Sequence, residues 1–157
     1  MYSTRLKDER FSVECIVYTE KVRIIQYVVD TGAKYTCCNY KEFDKHMKEE
    51  EFIECDTKLF GGFIEGSGVK FYKYHVMQFT IGNIDMGEQD IWITFDKRVK
   101  ETILGMDILK QITFLANADN KQICFYKDYI ECKKMIIVDC GSEAGMDCPG
   151  GGAAVVL

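Results

Sequence analysis

An apolar run rich in Val, Ile and Tyr, Val22 to Val29, stops abruptly at Asp30-Thr31-Gly32-Ala33. Such a run is strand-like, and here it delivers a carboxylate to its own end. A carboxylate in an apolar setting costs free energy unless it is paired or shares a proton. Positions of that kind are candidates for function. Gly32 lets the backbone turn tightly and leaves room for a ligand to approach. Taken alone, Asp-Thr-Gly is also an ordinary turn sequence. Phosphoaspartate enzymes carry it too, but they place a second acidic residue two positions on, where this chain has Gly32.

The remainder reads mostly as β. Phe11 to Tyr18 resembles Val22 to Val29 in composition, and Thr19-Glu20-Lys21 between them predicts a hairpin. Residues 57 to 68 set Gly61, Gly62, Gly66 and Gly68 around Phe60, Phe63 and Ile64, which predicts a mobile hairpin with an apolar tip. Its turn is expected at Gly61-Gly62-Phe63, with Gly66-Ser67-Gly68 as the second candidate. Strands are expected over Val69 to Ile81 and Ile91 to Phe95, with a short one within Ile84 to Asp90. A hairpin of Ile112 to Ala116 and Gln122 to Tyr126 follows, and a last strand over Tyr129 to Val138. Tyr40, Phe43 and Met47 recur at helical spacing, with Asn39 as N-cap and Glu42 three residues later. They predict a short helix near 40–50. A second short helix is expected over Met106 to Lys110.

Composition narrows the function. The 157 residues suit one domain with a sizeable core. The net charge is −5 without a basic stripe, which argues against nucleic acid as partner. No apolar run approaches the roughly 20 residues needed to span a bilayer. The run Lys48 to Glu51, continued by Glu54 and Asp56, predicts a solvated face. The eight cysteines contain no C-x-x-C pair, so a zinc ribbon is not indicated. Residues 1–10 form a polar arm without the apolar segment of a secretory signal. Free thiols in a cytoplasmic protein are therefore expected. Adjacent Cys37 and Cys38 would face opposite ways on a strand. Residues 139–157, with Gly150-Gly151-Gly152 and the single proline, Pro149, are expected to form a disordered tail. The domain proper is expected over 11–138.

A second motif gives Asp30 a context. Ile103-Leu104-Gly105 ends 75 residues after Asp30 and runs into Met106-Asp107-Ile108-Leu109. Three elements occur in order: Tyr27-Val28-Val29-Asp30-Thr31-Gly32-Ala33, the glycine-bearing Phe60-Gly61-Gly62-Phe63, and Ile103-Leu104-Gly105. In this the chain resembles the retropepsin-like aspartic protease family over roughly residues 11 to 126. The resemblance implies an all-β acid-protease barrel with a short helix after the Ile103-Leu104-Gly105 element.

It also implies a mechanism. One Asp-Thr-Gly per chain means that two copies pair about a twofold axis, each giving one Asp30. Thr31 would bond across that axis, and Gly32 and Ala33 would line the cleft. Gly61, Gly62 and Phe63 would form the flap over an extended peptide. Ile103 would wall a side-chain pocket, while Leu104 and Gly105 support the catalytic loop. No cofactor or metal is implied. Viral members brace the dimer with an acidic residue and an arginine. Lys34 and Met106 stand at those places here, so Lys34 is expected to pair with Asp107 instead. The competing reading keeps the fold as a peptide-binding or dimerisation module with little or no protease activity. His46 and His75 read as surface or packing residues, and Trp92 as core.

Overall fold

The computed structural model describes residues 1–7, 10–117, 119–128 and 154–156. Thirteen strands lie within them: β1 (Tyr2–Lys7), β2 (Arg10–Tyr18), β3 (Val22–Val29), β4 (Cys37–Asn39), β5 (Thr57–Ile64), β6 (Ser67–Val76), β7 (Gln78–Ile81), β8 (Ile84–Asp85), β9 (Gln89–Thr94), β10 (Ile103–Leu104), β11 (Thr113–Asn117), β12 (Gln122–Tyr126) and β13 (Ala154–Val156). One short helix, α1 (Met106–Leu109), follows β10. The described chain is mostly strand, as the Val-, Ile- and Tyr-rich runs predict.

Most strand pairs are antiparallel. The β2–β3 hairpin runs in register from Ser12↔Val28 to Tyr18↔Val22. Along β2, Val13, Cys15 and Val17 point inward, and along β3 Ile25 and Tyr27 do, while Val22 and Ile24 stay exposed. This is the period-2 alternation of a sheet with one buried face. Two pairings break the antiparallel rule. β10 lies parallel to β3, with Ile103↔Val28 and Leu104↔Val29, and β4 lies parallel to β9. β10 also pairs antiparallel with β4, so the sheet runs β3-β10-β4-β9 through its centre.

The core is in two parts. The larger unites β2, β3, β7, β9, β10, α1, β11 and β12 around Tyr27, Phe79, Ile91, Leu104, Ile108, Phe114 and Phe125. The smaller gathers Cys37, Val69, Phe71, Trp92, Val99 and Ile103, with Ala33, Tyr35, Phe60, Phe63 and Ile64 packed on it. Cys38 belongs to the larger part and Cys37 to the smaller, so the two thiols do face opposite ways. Trp92 is core.

Several local expectations are corrected. The helix near 40–50 is two separate 3-10 turns, Tyr40–Glu42 and Glu49–Phe52. Asn39 does cap the first, its side-chain oxygen accepting from the Lys41 N–H. The Asp44 carboxylate then accepts from the His46 N–H at 2.9 Å and from Arg23 at 3.1 Å. That local side-chain bond competes with helix propagation. The run from Val69 to Ile81 is broken at Met77 into β6 and β7, because the Met77 N–H bonds to the Tyr18 carbonyl. The initial arm forms β1, paired with β12 and β2, since Tyr2 to Leu6 can serve an open sheet edge. Within the expected disordered tail, the small apolar stretch at 154–156 forms β13 against β11. The strand expected over Tyr129 to Val138 lies outside the described residues, as does 139–153. Among the described residues, no helix is long and apolar enough to cross a membrane.

Candidate active site

Asp30 follows β3 directly, and its backbone is fixed from across the sheet. The Val28 N–H donates to the Thr102 carbonyl at 2.8 Å and the Asp30 N–H to the Leu104 carbonyl at 3.1 Å. These are the bonds of the parallel β3–β10 ladder, continued one residue past its end. Beyond Asp30 the chain turns, and the Ala33 N–H closes the turn on the Asp30 carbonyl at 3.2 Å. The Asp30 Oδ1 accepts from the Gly32 N–H at 2.8 Å. A Cβ on residue 32 would sit 3.2 Å from that oxygen. Asp30 is half-buried, while Thr31 and Gly32 are exposed. The carboxylate is oriented by its own loop, and the loop's outer surface is open.

The loop is held from behind. The Met106 N–H donates to the Ala33 carbonyl at 2.8 Å and the Asp107 N–H to the Lys34 carbonyl at 3.1 Å. The Gly105 N–H donates to Thr36 Oγ1 at 3.0 Å. Asp107 Oδ1 accepts three bonds, from the Thr36 hydroxyl at 2.7 Å, the Thr36 N–H at 2.9 Å and the Ile108 N–H at 2.9 Å. Gly105 makes this contact possible. A Cβ there would lie 2.5 Å from both the carbonyl carbon and the oxygen of Tyr35. The supporting roles of Leu104 and Gly105 thus have a geometric basis. Thr36 and Asp107 complete the support, and sequence reasoning missed Thr36. The anticipated Lys34–Asp107 ion pair does not form, because the Asp107 carboxylate is already engaged by Thr36. The Lys34 Nζ instead lies 5.3 Å from the Tyr35 ring centroid.

β5 and β6 form the flap. Its turn is at Glu65-Gly66, with Gly66 at φ 70°, so the second of the two sequence candidates is the closer one. Gly61, Gly62 and Phe63 sit in the outgoing strand, where Gly62 takes φ 89° at a register shift between Phe60 and Ile64. The irregularity absorbs two extra residues, because Gly61, Gly62 and Phe63 stand opposite Gly68 alone. Phe60 stacks on Tyr35 at 5.2 Å between centroids and on Phe71 at 4.6 Å, and it meets Trp92 edge-on at 5.7 Å. The flap base is therefore seated on the loop that follows Asp30. Between them opens a cleft of about 290 Å³, lined by Gly32, Ala33, Lys34, Tyr35, Cys37, Leu59, Phe60, Gly61 and Phe63. Ile103 is buried behind it, in the cluster that supports Ala33 and Phe60.

Burial pushes the Cys37 thiol up to about 12, and it raises Cys38 and Cys15 as well. These are neutral core thiols, not nucleophiles. His46 is exposed. His75 is exposed on β6, with its Nδ1 2.9 Å from Asp90 on β9. Among the described residues, no group of three His, Cys, Asp or Glu could hold a metal ion.

No protein-family model and no curated protein sequence matches this chain. Solved structures do. A retropepsin-like aspartic protease from Rickettsia conorii superposes with a TM-score of 0.55 at 18% identity, covering 78% of this chain and 98% of that one. The EIAV protease complexed with the inhibitor HBY-793 aligns with a TM-score of 0.48 at 16% identity, covering 68% of this chain and 91% of that one. With the parallel β3–β10 pair behind Asp30 and the β5–β6 hairpin packed on the loop that follows it, the chain has the retropepsin-like aspartic protease fold.

Proposed function

We propose that the protein is an aspartic endopeptidase that works as a homodimer, one Asp30 from each subunit. The observation that carries this reading is the state of the Asp30 loop. The loop is pinned behind by β10 and α1, its carboxylate is oriented by the Gly32 N–H, and its outer surface is open. One chain supplies one Asp-Thr-Gly, so a twofold axis beside Thr31 completes the site.

Two carboxylates about 3 Å apart do not both ionise, and they hold one proton between them. The ionised member takes a proton from a water, whose oxygen attacks the scissile carbonyl carbon. The protonated member gives its proton to the carbonyl oxygen, forming a neutral gem-diol. Collapse of the diol breaks the C–N bond. The amine leaves with one proton, the acid keeps another, and the dyad returns to its singly protonated state. The peptide lies extended under the flap, held by strand-type hydrogen bonds.

The test is cleavage of a peptide library near pH 5 by wild-type protein and Asp30→Asn. Cleavage by the wild type alone is expected, with a bell-shaped pH profile that belongs to the pair. Cleavage that survives the substitution would refute the mechanism. A chain that stays single at every concentration could not build the dyad. Binding without cleavage would favour the peptide-binding module.

A further inference from the structure

The cleft below the flap is unusual in its charge. The chain as a whole carries −5, yet the only charged side chain lining this cleft is Lys34. A second ammonium stands at its edge. Lys58, on β5, donates from Nζ to the Tyr35 hydroxyl at 2.6 Å and lies 4.3 Å from the Tyr35 ring centroid and 5.1 Å from the Trp92 ring. Lys34 and Lys58 thus both lie against the Tyr35 ring, at 5.3 and 4.3 Å from its centroid. Neither forms an ion pair among the described residues. The nearby Asp107 is engaged through Oδ1 by Thr36 and the Ile108 N–H. The rest of the wall (Ala33, Leu59, Phe60, Phe63) is apolar and suits the methylenes of a side chain. Tyr35 responds to the same field. The Lys58 hydrogen bond holds its hydroxyl below the ordinary tyrosine value, and the charges of Lys34 and Lys58 act in the same direction.

We infer that this cleft is the specificity pocket for an acidic side chain of the substrate, glutamate above aspartate, with Lys34 and Lys58 as its specificity-determining residues and Tyr35 as its floor. The inference rests on the protease reading and names its substrate class. A carboxylate entering between the two ammonium groups competes with the Tyr35 hydroxyl for Lys58 but displaces no carboxylate, so its gain is not offset by a broken ion pair. The methylenes of glutamate reach the rim across the apolar wall. A twofold axis repeats the pocket, so the preference falls once on each side of the scissile bond.

Two peptides that differ only in Glu against Gln at the selected position test this. For the wild type, kcat/KM should favour the Glu peptide about tenfold, and Lys34→Gln and Lys58→Gln should each cut that ratio about threefold, the size expected for a partly exposed charge pair. Lys58→Glu should turn the preference toward a Lys peptide. Binding of the same peptides to Asp30→Asn, followed by fluorescence anisotropy, provides a readout independent of turnover. Cleavage with a Glu/Gln ratio near one, or a ratio that neither lysine substitution changes, overturns the inference and leaves the protease reading standing. Lysine-dependent preference for the Glu peptide in binding, without cleavage by the wild type, does the reverse. Failure to cleave or bind either peptide overturns both.

Discussion

Replacing Gly105 by alanine tests the support of the Asp30 loop with one methyl group. Gly105 has φ −97° and ψ −179°, extended backbone that any residue adopts. The substitution therefore carries no conformational penalty, and by restricting the unfolded chain it should stabilise by about 0.5–1 kcal/mol. Packing opposes it. The new Cβ would meet the Tyr35 carbonyl carbon and oxygen at 2.5 Å and the Thr36 nitrogen at 3.0 Å. All three are backbone atoms, so no side-chain rotation relieves the contact. Overpacking of this kind costs about 1–3 kcal/mol. Displacing residues 35 and 36 also stretches the bond from Gly105 N–H to Thr36 Oγ1, worth about 1 kcal/mol. The net expectation is a loss of about 2–3 kcal/mol, or roughly 5–10 °C in Tm for a domain of this size. Urea unfolding of Gly105→Ala beside Gly61→Ala gives the comparison. A Cβ at Gly61 meets nothing within 4 Å, so that variant should be as stable as the wild type or more stable by up to about 1 kcal/mol. Equal stability of Gly105→Ala and wild type, at unchanged m-value, would refute the close approach of β10 to the loop.

Further outcomes follow from other contacts. Asp107→Ala removes the acceptor of three hydrogen bonds and should cost about 2–3 kcal/mol by urea unfolding, with cleavage activity falling as well because Thr36 loses its anchor. Tyr27→Phe should be neutral or stabilising by up to about 1 kcal/mol, since the fully buried Tyr27 hydroxyl has no hydrogen-bond partner among the described residues. A loss above that size would mean the hydroxyl is satisfied, for which the neighbouring Cys38 thiol is the candidate. Cys15, Cys37 and Cys38 should resist alkylation at pH 8 in folded protein and react on unfolding, as mass spectrometry would show. Their folded-state values lie above the ordinary thiol value of 9.0. Their stabilising contribution is thus complete below pH 9 and is lost as pH rises through the folded values, about 12 for Cys37. Tm measured from pH 8 upward should fall, and a flat profile would show that the thiols are not buried.

The strand that carries Asp30, its hairpin partner and the β10–α1 element were legible because each has a local signal. Val22 to Val29 is an apolar run rich in Val, Ile and Tyr, Thr19-Glu20-Lys21 turns, and Ile103-Leu104-Gly105 is an apolar pair ended by a glycine. The 40–50 region was misread because Tyr40, Phe43 and Met47 have helical spacing while Asp44 bonds locally to His46 and at long range to Arg23 on β3. That outcome depends on Arg23, a residue on another strand. The flap turn was ambiguous because four glycines in one stretch all permit tight backbone, and only pairing with β6 decides which is used. Thr36 was invisible for the same reason. An isolated threonine carries no periodicity, and its role appears only when Asp107 arrives from 71 residues away.

The parallel seating of β10 on β3 has a consequence for synthesis. The Asp30 N–H donates to the Leu104 carbonyl and Thr36 is anchored by Asp107, so the loop that orients the carboxylate takes its backing from a distant part of the chain. Closing a loop of 74 residues costs about 4 kcal/mol of chain entropy before that contact returns anything. Topologies of this kind fold slowly. A nascent chain that has cleared its first hundred residues holds Asp30 on a strand without its backing. The chain is thus kept from backing the Asp30 loop until nearly all of the described barrel has left the ribosome.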